Sequence, residues 1–336
     1  MNNIKERDFS IDILKFLAVF FIINSHMDTL YTNYKMLATG GSIGDTLFLF
    51  CSGYTLLLNK NSMRFDNWYK RRIIRIYPSV IVCALMGALF SMQPDIHITT
   101  LGGGEFVIAI MIYYILIYFI KVYAVNKIPL ILAGVLFVSL VIYILFFPYK
   151  TETGEKGLYG ITTLYRWIPY FAFMLIGAYV GMKRKTMVYN PMSDFIKMIS
   201  CLFVFYGVQY SAKINPIIAP YQIITLLPLV GIVFYFYKWC NAGFWGKVYQ
   251  NKRCHAVIMT ISGLCLESYL IQYSVFTTSM NSIFPLNLPI MVLIVCWPLL
   301  FANACQESLH KRLRTEIMTG GVLLSHINLT YTRWRN

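Results

Sequence analysis

The stretch Ser10-Ile-Asp12-Ile-Leu-Lys15-Phe-Leu-Ala-Val-Phe-Phe-Ile-Ile-Asn-Ser-His26-Met27 is apolar enough to lie in a bilayer, yet it carries three ionisable side chains. Such groups are expensive in hydrocarbon, so a segment that keeps them points to a functional site. Lys15 and His26 are eleven residues apart. On a helix that separation is a rotation of about 1100°, about 20° past three full turns, so both project from nearly the same face. The rise between them is about 16 Å, which places Lys15 near one membrane surface and His26 deep or toward the other. The reading is one helix with a polar stripe across much of the membrane.

The rest of the chain has the same solvent. Hydrophobic residues fill 58% of the 336 positions and charged residues 13%, against about 25% charged in an ordinary soluble domain. Mean hydropathy is +0.60. At about 20 residues per crossing, ten apolar segments are predicted, over residues 10–31, 43–58, 73–92, 105–125, 129–147, 167–182, 195–210, 219–237, 256–277 and 288–305. The expected fold is an all-α polytopic membrane protein of about ten helices. The net charge of +15 raises the question of an acidic partner such as nucleic acid. With the amino terminus in the cytoplasm, however, only Lys35, Lys150, Lys156, Arg166 and Lys213 lie on the far side. That asymmetry is the positive-inside pattern and places both termini in the cytoplasm. The basicity is a topology signal, and no nucleic-acid partner is expected.

The eight cysteines carry little chemistry at this level. Cys51, Cys83, Cys201, Cys265, Cys296 and Cys305 fall in or at the end of apolar segments, and no CxxC or Cys/His metal spacing occurs, so neither a disulfide framework nor a metal is implied. The first segment is too long for a signal-peptide core and is expected to be retained. A membrane domain over residues 1–306 is followed by a basic cytoplasmic tail, 307–336, and the sequon at Asn328 is discounted on that account.

Three further stretches stand out. In Leu47-Phe-Leu-Phe-Cys-Ser52-Gly53-Tyr54, Ser52 and Gly53 allow close approach of a neighbouring helix, and Tyr54 adds a polar tip. In Trp68-Tyr-Lys-Arg-Arg72-Ile-Ile-Arg75-Ile-Tyr77-Pro78, Arg72 and Arg75 share a helix face and can present two planar forks to one polyanion. The plainer reading is an interfacial anchor for anionic lipid, with Trp68 and Tyr69 in the aromatic belt. In Cys265-Leu-Glu267-Ser-Tyr269-Leu-Ile-Gln272, Glu267 is a carboxylate at membrane depth, which faces a catalytic cavity or pairs with a cation from another helix.

Taken in order, these stretches resemble the acyltransferase type 3 family, integral-membrane enzymes that move acyl groups onto extracytoplasmic sugars. The opening, Arg7 through Asp12 and Lys15 to His26, is similar to the family's first helix, with Lys15 where Arg is usual. Ser52-Gly53-Tyr54, the Arg72/Arg75 stretch and the Glu267 to Gln272 stretch are similar to its later motifs, with Gln272 where His is common. The resemblance implies an O-acyltransferase, most often an O-acetyltransferase, of the bacterial inner (cytoplasmic) membrane. It would act on a surface or secreted polysaccharide or its lipid-linked precursor. Acetyl-coenzyme A or another acyl-coenzyme A would be a co-substrate, with no permanently bound cofactor.

Acyl transfer to a hydroxyl needs a base, stabilisation of the oxyanion and a held thioester. His26 is the natural base, with Asp12 and Glu267 as the accompanying catalytic candidates. Lys15, Arg72, Arg75 and Arg7 are the donor-binding candidates, and Tyr269 and Gln272 the cavity candidates. Direct attack and an acyl-histidine relay both stay open, as do acetyl and succinyl donors. A transporter or flippase of a lipid-linked saccharide is the alternative, with Asp12, His26 and Glu267 as a proton relay. A structural membrane subunit would leave the polar stripe and the paired arginines unexplained.

Overall fold

The computed structural model describes residues 8–57, 64–89, 104–146, 158 and 164–295. These residues are 88% helical, and no strand occurs among them. In chain order the helices are α1 (Phe9–Ser25), α2 (Gly41–Leu57), α3 (Phe65–Leu89), α4 (Gly104–Tyr123), α5 (Ile128–Phe146), α6 (Trp167–Lys183), α7 (Pro191–Ile214), α8 (Leu226–Cys240), α9 (Gly243–Gln250), α10 (Lys252–Gly263) and α11 (Cys265–Val275). Helix resumes over 287–295. Arg7, the rest of the tenth predicted segment and the tail 307–336 with Asn328 lie outside the described residues.

Two compact units divide the chain. The first holds α1, α2, the second half of α4, α5 to α10 and the segment 277–288; the second holds α3, the first half of α4 and α11.

In the first unit α2 packs against both α1 and α6. The approach to α6 is backbone on backbone. A Cβ on Gly53 would lie 1.8 Å from the Met174 carbonyl oxygen, and one on Gly177 would lie 2.0 Å from that of Phe50. No side chain fits at either position, which accounts for the small residue in the Ser52-Gly53-Tyr54 stretch. Gly177 meets Phe50 and Gly181 meets Tyr54, so α2 and α6 run parallel in a fixed register. On its other side α2 meets the last turns of α1, where Cβ atoms on Gly41 and Gly44 would strike Ser25 Oγ at 2.7 Å and Ile22 Cγ1 at 2.6 Å. The α7–α8 pair is pinned by a buried ion pair, Lys238 Nζ to Asp194 Oδ1 at 2.7 Å. Asn190, whose side chain accepts from the Ser193 N–H, caps α7.

The helices differ in what they face. α1, α2 and α6 are mostly buried. By contrast α5 leaves Leu130, Phe137 and Ile144 about two-thirds exposed, and α7 leaves Phe203 76% exposed. Runs of apolar side chains turned outward are unstable in water and ordinary in lipid. Four stretches among the described residues are long and apolar enough to cross a bilayer, Gly104–Tyr123, Val125–Phe146, Pro191–Ile214 and Ala219–Cys240. The molecule is a helical membrane protein.

Two elements differ from the sequence reading. The first helix ends at Ser25 instead of running to residue 31, so His26 is its C-cap rather than an interior residue. Asn24 causes the stop: its amide donates to the carbonyls of Leu37 and Thr39 at 2.8 and 2.9 Å, and Tyr31 donates to its Oδ1 at 2.6 Å. These bonds fold the chain back over the helix end. The segment 256–277 is divided at Leu264 into α10 and α11, because α10 closes on Gly263, a weak helix former. Glu267 thereby falls in the first turn of a new helix, where the dipole favours an anion.

Candidate functional site

Two groups of ionisable side chains in the first unit lie at the two ends of α1. At its start, Asp8 is the N-cap and accepts from the Ser10 N–H and hydroxyl at 3.1 and 2.6 Å. The Tyr54 hydroxyl donates to the other Asp8 oxygen. Tyr54 also stands 3.3 Å from the Tyr237 hydroxyl, which is 3.4 Å from that of Tyr189. One turn along, Asp12 is 3% exposed and accepts from the Tyr249 hydroxyl at 2.8 Å. Tyr249 stands edge-on to the His255 ring at 4.6 Å. Lys15 joins Asp8 and Asp12 in acting electrostatically on Cys51 of α2, so this face of α1 turns toward α2.

At the other end, His26 is partly exposed just past the end of α1. Burial, then the charge of Arg166, hold its imidazole below the usual range, at about 4, with Asp28 acting in the opposite sense. Arg166 immediately precedes α6. It also acts electrostatically on Asp45, in the second turn of α2.

In the second unit Glu267 is 2% exposed and accepts from the Ser79 hydroxyl at 2.5 Å. Its Oε2 is buried without a hydrogen-bond partner among the described residues, and Arg75 acts on it electrostatically. Arg75 itself is exposed. The guanidinium of Arg72 lies 4.5 Å from the Trp68 ring centroid and 5.5 Å from that of Tyr114, a cation–π seat that holds part of its fork against aromatic faces. The Trp68 indole N–H donates to the Tyr114 carbonyl at 3.2 Å, fixing that seat. Tyr269 packs on Phe106 at 5.0 Å. The side chain of Gln272 lies outside the described residues.

Of the residues singled out from the sequence, His26, Asp12, Lys15, Arg72, Arg75, Glu267 and Tyr269 fall among the described residues, with His26, Asp12 and Lys15 in the first unit and the others in the second. Sequence reasoning missed Tyr249, which serves Asp12, and the charges of Asp45 and Arg166 near the far end of α1. Asp45 carried a signal: it is a second carboxylate inside an apolar run and falls under the same energetic rule as His26. Arg166 had only its place beside an apolar segment; Tyr54 was legible as a polar tip next to Gly53, whereas Tyr249 had no signal.

Buried or half-buried titratable side chains on apolar helices, in each of the two units, mark the chain as a helical membrane protein that keeps polar groups away from lipid. The chain belongs to the acyltransferase type 3 family: residues 8–305 match its acyltransferase domain, and the protein is accordingly an acyltransferase. Neither a curated protein nor a solved structure matches it significantly.

Proposed function

We propose that the protein is a membrane O-acyltransferase, most simply an O-acetyltransferase, that takes its acyl group from acyl-coenzyme A. The acceptor would be a sugar hydroxyl of a surface or secreted polysaccharide or its lipid-linked precursor, at a bacterial cytoplasmic membrane. The observation that carries this reading is His26, an imidazole just past the end of α1 and partly accessible, in a chain of an acyltransferase family. An accessible imidazole is the side chain best suited to take up a hydroxyl proton near neutral pH.

In this reading the acceptor hydroxyl oxygen attacks the thioester carbonyl while His26 takes the hydroxyl proton. The C–O bond forms, the C–S bond breaks, and the imidazolium returns the proton to the departing thiolate, giving the ester and free coenzyme A. Arg75, which is exposed, and the free part of the Arg72 fork are suited to the phosphates of the donor. Lys15 and Arg7 complete the donor-binding candidates. Asp12 acts by fixing α1 through Tyr249, and Glu267, with one oxygen unpartnered among the described residues, is the second catalytic candidate. Tyr269 and Gln272 remain the cavity candidates on the second unit. The distribution of Lys and Arg supports ten crossings with both termini in the cytoplasm.

The test is transfer of label from radiolabelled acetyl-coenzyme A to a glycan acceptor by the purified protein, with mass spectrometry of the cell's glycans with and without the gene. Appearance of labelled ester supports the reading. A change only in the sidedness of a lipid-linked saccharide, with no label transferred, points to a flippase instead.

A further inference from the structure

The turns that follow His26 are held by side chains from two other parts of the first unit. Residues 27–39 close on themselves through the Leu30 N–H to the Met27 carbonyl at 2.9 Å, the Tyr34 N–H to that of Tyr31 at 2.6 Å and the Leu37 N–H to that of Tyr34 at 2.8 Å. Short turns leave other carbonyls over, and side-chain amides take them here. From α1, Asn24 donates to the Leu37 and Thr39 carbonyls. From the segment 277–288, Asn281 donates to the Thr29 carbonyl at 2.9 Å, and Asn287, which is fully buried, donates to that of Leu30 at 3.0 Å. Asn287 also donates to the Asn281 Oδ1 at 3.2 Å, which joins the two amides. Together they grip the carbonyls three and four residues past His26.

Inside this frame Thr32 has a φ of 41°. A β-branched residue in the left-handed region is an outlier that persists only where its surroundings over-determine it. They do so here: Met27 and Leu30 are buried, and Tyr31 donates to the Asn24 Oδ1 while its ring packs on Phe284 at 6.3 Å. His26 lies between the buried Ile23 and Met27 and keeps its own side chain partly accessible.

We propose that Asn281, Asn287 and the strained Thr32 are positioning residues for His26: they hold the turns after α1 in one conformation and so set where the imidazole stands. The inference rests on His26 as the base. A base must stand within hydrogen-bond reach of the proton it takes, and a displacement of about 1 Å costs on the order of 100-fold in rate. His26 ends a helix instead of lying within one, so the helix ladder fixes it from one side only. The turns have to supply the other side, and the two asparagines of the segment 277–288 keep those turns from opening.

The experiment uses the full-length protein in membranes, with radiolabelled acetyl-coenzyme A as donor and total glycan extracted from cells lacking the gene as acceptor. The kcat per folded molecule and the KM for each substrate are measured, and the thermal midpoint is followed in detergent. Thr32→Gly is the decisive variant, because glycine adopts a positive φ without strain and loosens the turn without removing a side-chain bond to the frame. It is expected to lower kcat about tenfold or more, with both KM values near the parent and the midpoint not lowered. Asn281→Ala, which removes one donor at a partly exposed position, should lower kcat in the same way. A parental kcat in Thr32→Gly and Asn281→Ala overturns the inference, and so does a rise in acceptor KM alone, which would make these turns a binding surface. His26→Ala separates the two levels: full transfer in that variant defeats the reading of His26, whereas loss of transfer there with a parental kcat in the other two defeats only the frame.

Discussion

The two ends of α1 carry similar numbers of ionisable groups and use them in opposite ways. At the start of the helix, Asp8 and Asp12 accept hydrogen bonds from Tyr54 and Tyr249, and a chain of tyrosine hydroxyls continues to Tyr237 and Tyr189. At the end, His26, Asp45 and Arg166 are related by charge. A carboxylate served by neutral hydroxyls is a structural joint, because its acceptors are occupied and its charge is stabilised where it stands. An imidazole that burial, and then the Arg166 guanidinium, hold below its usual range stays uncharged near neutral pH. On the proposed function, the polar first helix of this chain would combine a fastening at its start with a base just past its end.

The largest expected effect tests that division directly. Replacing His26 with Ala should lower acyl transfer by about 100-fold or more, measured in membranes with protein levels matched; an unchanged rate would dissolve the contrast between the ends. Next in size is the α2–α6 contact that holds both ends in register. Gly53→Ala places a methyl group on the Met174 carbonyl and should destabilise the protein by about 3 kcal/mol, seen as a large drop in the thermal midpoint in detergent. Gly207→Ala, where a Cβ would meet nothing within 4 Å, is the matched control and should not lower it.

At the fastening end, Tyr54→Phe removes one donor to Asp8 and should cost about 1–3 kcal/mol while the rate per folded molecule stays within about twofold of the parent. If the rate falls with stability intact, the start of α1 belongs to the chemistry too. The smallest expected effect is the flatness of a profile. With the imidazole held at about 4 against a usual 6.5, His26 stays neutral as pH falls through 6.5 and is protonated only near 4. The rate contribution from His26 should accordingly be level from pH 7.5 to about 5.5, and a half-loss at 6.5 would show that the base is not shielded as described.

Much of the fastening and of the site was invisible in the sequence for an identifiable reason. Hydropathy reports the solvent a side chain prefers, and the cost of an ion in hydrocarbon marks where partners must exist without naming them. Asp12 announced its need, but Tyr249, which meets it, is 237 positions away. Glu267 likewise finds Ser79 across 188 positions. Only close packing brings such pairs together. The break at Leu264 and the early end of α1 escaped for a related reason: both depend on what the backbone meets, and the apolar runs continue through them.

The sequence by itself determined the solvent, the helical class, the polar first helix with Asp12 and Lys15, the shared face of Arg72 and Arg75, and the small residue at Gly53. These are properties of composition, period and local spacing. The tertiary structure alone decided that Asp12 is tied to a tyrosine, that Arg72 rests on Trp68 and Tyr114, and that Asp45 and Arg166 keep company with His26. Each of these depends on the register in which distant helices pack. That register is set by backbone contacts such as Phe50 on Gly177, which no local pattern encodes.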